Sequence, residues 1–461
     1  MARWRWSIER LVLLAAAGLV LRTWCVEGLF VPFKVTSGSM AETLRGVHRV
    51  VVCVDCGHRF ACGADLPSIS GRAVCPNCGC AENGLAARPD VAGDRLLVDK
   101  SIFSFRPPRR WELVAFRHPL RPSEIHVKRV VGLPGESIQI RNGDVYVDGK
   151  IQRKKLHQQR ALAVLVHDAN CTPKADLGLP PRWQADGVAT GWSSAGGRYT
   201  HPSVPGATSI DWLNYRHWRR VPGRPGQTLE TPITNDRAYN QTRPPRAENI
   251  HPVGDVLLSF RLVKTWGDGE LFVRASDGQE EFQARIEPVE SLYQVDHNGK
   301  LLGACGRGRL PDWTGDLHLQ VSLFDQQFVL AFDGRPAVVY PYKPKHPVPD
   351  PTSQPLAIGS RGLGVDVRDV RVSRDVYYTH PVGLRGRWGL DEPFPLGAGD
   401  YFVLGDNSPI SDDSRSWPDS PALAERLLVG KPLLVHFPAR RVDLGPWHFQ
   451  VPDPARIRYI R

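Results

Sequence analysis

The sequence predicts a mainly β chain, with an apolar N-terminal helix ahead of it and a β-sandwich inserted within it. Three observations carry that reading. The chain holds 40 prolines and 43 glycines in 461 residues, a composition that favours turns and loops over long helices. Short apolar or alternating runs recur past residue 90, several of them bounded by Asn-Gly or Asp-Gly pairs that signal hairpins. The length exceeds one ordinary core, so two or three domains are expected. At 41% hydrophobic and 23% charged residues, the chain is globular and not disordered. Its net charge of +11 comes from arginines spread along the sequence, as in RPPRRW (106–111) and YRHWRR (215–220). That spread fits a solvated or lipid-facing basic surface, and no nucleic-acid motif accompanies it.

The elements follow in order. Arg3, Arg5 and Arg10 precede LVLLAAAGLVL (11–21), an apolar run of eleven residues closed by Arg22. Eleven is signal-peptide length and short of the ~20 residues of a membrane span. A helix from about Trp4 to Cys25 spans if Arg22 snorkels to an interface. No small-x-small cleavage site follows, so residues 1–30 are expected to be an uncleaved single-pass anchor. A cleaved signal and a buried soluble helix are the alternatives. The positive flank sets the N-terminus in the cytoplasm and the remainder outside it. Residues 31–150 read as strands, notably RLLVDK (95–100), ELVAF (112–116), IHVKRVVGL (125–133) and SIQIRNGDVYVDGK (137–150). A cysteine-rich segment, 51–82, interrupts them. Residues 151–210 turn irregular and rich in Pro, Gly, Ser and His, as in a linker. Residues 211–380 form a second β region, with runs such as DVLLSFRLV (255–263) and LHLQVSLFDQQFVLAFDGRPAVVY (317–340) and no helical period, which argues for a sandwich. Residues 385–461 return to motif-bearing sequence with GAGDYFVLGDNSPISDDSR (397–415).

Chemistry is suggested first by VTSGSMAETL (35–44). A serine hydroxyl is a poor nucleophile until a base takes its proton. Ser39 is not in a G-x-S-x-G elbow, and nothing marks His48, His118 or His126 as its partner. The other solution is a lysine held neutral by burial, since desolvation disfavours the ammonium. With 12 lysines against 47 arginines, the search is short. Lys128 alternates within an apolar strand, and Lys100 in RLLVDK is the rival.

Four blocks, SGSMAETL (37–44), GDRLLVDK (93–100), KRVVGLPGESI (128–138) and GDNSPISDDSR (405–415), resemble in order those of type I signal peptidases. The resemblance covers about half the chain, residues 1–150 and 385–461. It implies a signal-peptidase-type β catalytic domain on an N-terminal transmembrane helix. It implies a serine endopeptidase with Ser39 as nucleophile and Lys128 as general base. Ser37 matches the oxyanion-hole hydroxyl, and Ser411 the serine that orients the lysine. Asp413 and Arg415 match a charged pair that holds the last block, and Gly405, Asp406 and Asn407 read as turn and scaffold. Met40 matches the family's methionine and equally fills an apolar gap. No catalytic cofactor is implied. The implied partners are a lipid bilayer and exported preproteins with Ala-x-Ala-like sites, the implied place is the cell membrane, and the active site faces outside the cytoplasm. One departure stands out. Glu42 occupies the position where the family usually has proline, and facing Lys128 it would stabilise the ammonium; it is expected to point to solvent.

Cys53-x-x-Cys56 and Cys75-x-x-Cys78 lie 18 residues apart, each pair followed by glycine. That spacing predicts a zinc-ribbon-like structural site. Disulfides, with Cys62 and Cys80 included, are the alternative outside the cytoplasm. Cys25, Cys171 and Cys305 read as isolated packing residues. The segment 211–380 resembles concanavalin-like or laminin-G-like jelly rolls, which implies a carbohydrate or protein ligand. Trp212, Trp218 and Trp266 are stacking candidates, with core packing as the plainer account. Two rival functions remain. One is an inactive relative kept as a membrane-tethered binding module. The other is a self-cleaving repressor-type protease, which would carry a DNA-binding helix pair in place of the apolar segment.

Overall fold

A computed structural model describes residues 2–23, 28–65, 71–187, 190–224, 226–236, 238–240, 247–313, 315–346, 349–381, 383–384, 386–445 and 447–460. Past the first helix the chain is built from antiparallel strands. One eight-stranded sheet draws on both ends of the sequence. Its order is Phe30–Lys34, Arg95–Asp99, Leu428–Phe437, Leu113–His118, Arg121–Gly132, Asp400–Leu404 and Leu423–Ala424, with Arg458–Tyr459 pairing onto Leu428–Phe437. Because Leu428–Phe437 lies between two early strands, neither end of the chain can form this sheet alone. A four-stranded sheet, Lys150–Ile151, Asp144–Val147, Ser137–Arg141 and Phe394–Pro395, repeats the pattern. These two sheets make a discontinuous β domain, and everything from 152 to 393 is inserted into it. The Asn142-Gly143 and Asp148-Gly149 turns have positive φ at both positions (51°, 89° and 49°, 74°), as two-residue hairpin turns require.

The insert is a β-sandwich of two eight-stranded sheets. The first runs Ser193–Ala195, Arg198–His201, Gly364–Arg374, Val256–Trp266, Leu317–Phe324, Gln327–Phe332 and Arg335–Pro341, with Val164–Asp168 also on Gly364–Arg374. The second runs Trp183–Ala185, Asp211–Tyr215, Leu356–Arg361, Glu270–Ser276, Glu281–Glu287, Leu292–His297 and Lys300–Leu301, with Arg307–Arg309 beside Leu292–His297. A single apolar core fills the space between them, with Leu258, Phe260, Val321 and Phe328 from one sheet and Leu271, Val273, Phe282 and Ile358 from the other. Segment 151–210, expected as an irregular linker, instead carries the helix Leu156–Leu162 and four short strands that edge both sheets. Strands of three to five residues broken by Pro and Gly carry too little periodicity to be read locally.

The N-terminal helix, Ala2–Val20, is a second difference. No helix among the described residues is long and apolar enough to cross a membrane. Arg3, Arg5, Glu9 and Arg10 occupy its first half, so only the eleven residues of 11–21 are free of charge. At 1.5 Å per residue they reach roughly 16 Å, about half a ~30 Å hydrocarbon core. Among its described side chains, Leu11 and Leu14 are 70% and 73% exposed.

Phe282 and Phe328 come from opposite sheets of the sandwich and stack with centroids 4.8 Å apart, both fully buried. Phe282→Ala is expected to cost about 3–5 kcal/mol through lost transfer energy and the cavity it leaves. Chemical denaturation should show a lower midpoint at unchanged slope.

Candidate active site

The strand Arg121–Gly132 enters the domain exposed and becomes fully buried from Lys128 onward. Lys128 lies between Val127 and Arg129 in a strand that continues with Val130 and Val131, and its side chain is 2% exposed. The amine lies 2.8 Å from Ser39 Oγ and 3.0 Å from Ser411 Oγ. Burial lowers its pKa from the ordinary lysine value to about 8, against the pull of Asp413, Asp412 and Asp406. Ser39 sits half-buried on a tight turn after the strand Phe30–Lys34, and the Ser37 hydroxyl donates to Ser39 Oγ at 3.3 Å. The structure therefore brings Ser37, Ser39, Lys128 and Ser411 into one hydrogen-bonded chain. A neutral amine beside a hydroxyl can take its proton, which is the first step of nucleophilic attack.

The other candidate bases lie apart from Ser39. His48 is buried, its Nδ1 against Gly46 O at 2.8 Å, and burial lowers it to about 4. His126 is lowered to about 4 by burial and by Lys128, and bonds Glu124. His118 packs on His126 and Trp417. Lys100 is exposed at a strand end.

Two buried arginine–aspartate pairs frame the amine. Arg415 grips Asp413 with two bonds of 2.9 and 2.7 Å, both side chains fully buried, and Asp413 also accepts the Gly405 N–H. Arg415 further donates to Ser408 Oγ and to the Thr379 carbonyl. Arg129, next to Lys128, grips Asp406 at 2.8 and 2.6 Å. Asp406 also accepts the Thr43 hydroxyl at 2.5 Å, tying the residues after Ser39 to the lysine strand. Gly405 is required by close approach, since a Cβ there would lie 2.1 Å from Ser411 Oγ and 2.6 Å from the Ser39 carbonyl.

Glu42 does not reach Lys128. It pairs with Arg45 at 3.0 Å on the outer side of the turn. Met40 and Leu44 fill the apolar gap beneath that turn with Leu96, Val98 and Leu113.

Sequence reasoning missed the contribution of the insert. Asn407 donates its side-chain amide to the Gly38 carbonyl at 2.9 Å, and its backbone N–H to the Ser39 carbonyl at 3.0 Å. Asn240, from the insert, pairs amide to amide with Asn407 at 2.9 and 2.7 Å. Tyr239 lies flat against Gly38 and Gly63, where a Cβ would stand 2.2 and 2.9 Å from its ring. Nothing local to Tyr239 and Asn240 signals this, and only the glycines opposite them hint at a close approach.

The cysteine module forms two matched knuckles. Gly57 N–H bonds Cys53 O and Gly79 N–H bonds Cys75 O, with both glycines in left-handed φ (72° and 71°). The sulfurs of Cys53, Cys56, Cys75 and Cys78 lie within 4.8 Å of one another, with Cys53–Cys78 at 3.6 Å and Cys56–Cys75 at 3.7 Å. Those spacings exceed a disulfide bond of about 2.05 Å. They fit thiolates around a tetrahedral ion, about 3.8 Å apart for Zn–S of about 2.3 Å. Asn77 Nδ2 lies 3.7 Å from Cys56 Sγ, and its Oδ1 accepts the Asp168 N–H of the sandwich. Cys62 and Cys80 are buried near the four, Cys171 packs against the module and Cys305 is exposed; Cys25 lies outside the described residues. Of the tryptophans, Trp218 is buried beneath Arg182, Trp212 stacks under Arg274 and Trp266 is 39% exposed.

Comparison with known proteins finds similarity to peptidases in part of the chain. A family model described as signal peptidase, peptidase S26, matches residues 80–185, a range that includes Lys128 and not Ser39. The chain is 29% identical over 139 residues to signal peptidase I of Pseudomonas aeruginosa, covering 30% of this chain and 36% of that protein. It is 43% identical over 65 residues to signal peptidase I of Leptolyngbya laminosa, covering 12% and 32%. The chain thus spans about a third of the length of these relatives. Among solved structures, a carbohydrate-binding module from Bacillus subtilis matches 42% of this chain and 95% of its own at 12% identity and a TM-score of 0.25. The similarity that carries weight is therefore to peptidases, in the segment that holds the lysine strand.

Proposed function

We propose that the chain is a serine endopeptidase that removes N-terminal signal peptides from exported preproteins, with Ser39 as nucleophile and Lys128 as general base. The single observation behind this reading is the buried Lys128 amine 2.8 Å from Ser39 Oγ. Similarity to signal peptidases over residues 80–185 supports the substrate class. The neutral amine takes the Ser39 proton as Oγ attacks the carbonyl carbon before the scissile bond. Negative charge then develops on the carbonyl oxygen, where the Ser37 hydroxyl and backbone N–H groups of the turn stabilise it. Collapse expels the new N-terminus, which leaves with the proton from the Lys128 ammonium. Water, deprotonated by the same amine, releases the acyl group as a carboxylate. Ser411 holds the amine on axis, and Asp413 with Arg415 holds Ser411. Small residues of the Ala-x-Ala kind precede the cut.

The protein acts beside a membrane. The exposed apolar face of Ala2–Val20 and the exposed Leu444, Trp447 and Phe449 of the hairpin 439–452 supply lipid contacts. Tethering raises the effective concentration of a substrate whose own apolar segment lies in the bilayer. The reading as an inactive tethered module drew on Glu42 and on the large insertion; the Glu42–Arg45 pair speaks against the first of these grounds. The four cysteines hold a structural zinc ion, distant from the chemistry.

Cleavage of a preprotein with an Ala-x-Ala site is expected from the detergent-solubilised chain. It should be abolished in Ser39→Ala and lowered roughly 10²–10⁴-fold in Lys128→Met, as for loss of a general base. Cleavage by Lys128→Met at the parent rate would refute the assignment of the base. Because the amine must be neutral, kcat should rise with pH and reach half its maximum near 8. The same shift sets a stability prediction. A folded-state pKa below the unfolded value penalises the folded chain fully below about 8, and the penalty fades as pH rises toward 10.5. Lys128→Met should therefore be more stable than the parent at pH 7, by about 3 kcal/mol. The gain should vanish near pH 10.5 in denaturation curves. For the cysteine module, elemental analysis should find one zinc per chain after dialysis. Cys75→Ala should lose it and unfold at a lower temperature.

A further inference from the structure

Four carboxylates converge at the seam between the discontinuous domain and the sandwich. Asp144 opens the strand Asp144–Val147 of the four-stranded sheet. Asp255 precedes the sandwich strand Val256–Trp266, Asp325 forms the tip between Leu317–Phe324 and Gln327–Phe332, and Asp375 follows Gly364–Arg374. No two of them are neighbours in sequence. Carboxylate oxygens of Asp144, Asp255 and Asp325 lie within 4.8 Å of one another. One ammonium answers them: Lys154 bonds Asp325 and lies 2.8 Å from Asp375 Oδ2. One ammonium faces four carboxylates, of which Asp325 and Asp375 are buried and Asp144 and Asp255 half-buried, and carboxylates crowded together away from water are costly.

A second observation points to what completes the balance. Asp375 is 3% exposed, and its Oδ1 has no hydrogen-bond partner. It lines a cavity of about 70 Å³ together with Asp144, Asp255, Tyr146 and Gln326. An orphaned carboxylate oxygen on the wall of the cavity that Asp144 and Asp255 also line is an acceptor available to a cation there. The donors are all hard oxygens, which excludes the thiophilic ions suited to the cysteine module. Oxygens bound to one calcium ion at 2.3–2.6 Å stand at most about 5 Å apart, which the observed spacing satisfies.

We propose that Asp144, Asp255 and Asp325, with Asp375 lining the same cavity, bind a divalent cation of the calcium class that clamps the sandwich to the discontinuous domain. The ion neutralises charge that Lys154 cannot. Because one ligand comes from the domain and the others from the sandwich, binding favours the docked arrangement over any in which they separate. The site is independent of the peptidase reading, since none of its residues touches Ser39 or Lys128.

The test uses the full chain, freed of loosely held metal by dialysis against resin-treated buffer, and the isosteric Asp144→Asn, Asp255→Asn double variant. Equilibrium dialysis with radioactive calcium should find about one ion per parent chain and none in the variant, with equal zinc in both. Calcium at about a hundred times its Kd should raise the parent's unfolding midpoint by roughly 5 °C and leave the variant's unmoved. Three outcomes overturn the proposal. They are no calcium bound by the parent at millimolar concentration, calcium retained by the variant, and a parent midpoint indifferent to calcium. Should the double variant not fold, Asp144→Asn alone decides, because it removes the only ligand outside the sandwich.

Discussion

The proposed chemistry depends on one contest, between the burial that strips water from the Lys128 amine and the carboxylates that would keep it charged. Asp413, Asp412 and Asp406 all pull toward the ammonium, yet burial prevails and the amine is lowered to about 8. Each carboxylate has an arginine of its own. Asp413 is covered by Arg415, Asp406 by Arg129, and Asp412 by Arg121 at 3.0 Å. With its charge already answered, each carboxylate serves as a hydrogen-bond anchor for the loops around Lys128 without claiming the lysine as its counter-ion. Buried ion pairs of this kind add little net stability. Their use here is to fix loop geometry while keeping the field at the amine small.

The nucleophile turn obeys a similar economy of contacts. Asn407 holds the carbonyls of both Gly38 and Ser39, and Asn240 satisfies the other side of the Asn407 amide. A half-satisfied buried amide would cost roughly 1–3 kcal/mol and leave the turn free to rotate. The insert is thus more than a passenger. Tyr239 wedges between Gly38 of the turn and Gly63 of the cysteine module, so three parts of the chain meet within one side chain's reach of Ser39.

Much of this site was legible because it is written locally. Ser37 and Ser39 share one block, and Ser411, Asp413 and Arg415 share another. The lysine strand shows its burial in the apolar run around it, Val127, Val130 and Val131. The cysteine knuckles are legible for the same reason, since spacing within a few residues sets their geometry. What was not legible arises from juxtaposition. Asn240 and Asn407 are 167 residues apart, and Asp144, Asp255, Asp325 and Asp375 sit in four different turns or strand ends. Each reads alone as an ordinary turn residue, because Asn and Asp favour turns whatever they later meet. The short strands of 151–210 failed for a related reason, since their partners lie some two hundred residues away in Gly364–Arg374 and nearer in Asp211–Tyr215. The N-terminal helix was read correctly as a helix, and no helix among the described residues is long and apolar enough to cross a membrane.

These contacts constrain how the two insertions can affect the chemistry. The cysteine module touches the sandwich through Asn77, which bonds Asp168 N–H and lies against Cys56, and through Arg220, which bonds the Cys78 carbonyl. It meets the nucleophile turn where Ala61, Tyr239 of the insert and Ala41 pack together. Neither route carries a charge to Lys128, whose surroundings are set by strands of the discontinuous domain. Disturbing the module therefore acts on the position of Ser39, by letting Tyr239 shift and Asn407 lose its partner, and leaves the basicity of the amine intact. A rate lost by that path would fall equally at every pH. One lost by uncovering Asp406 or Asp413 would move the pH at which the rate rises, because it changes the electrostatic balance that keeps the lysine neutral.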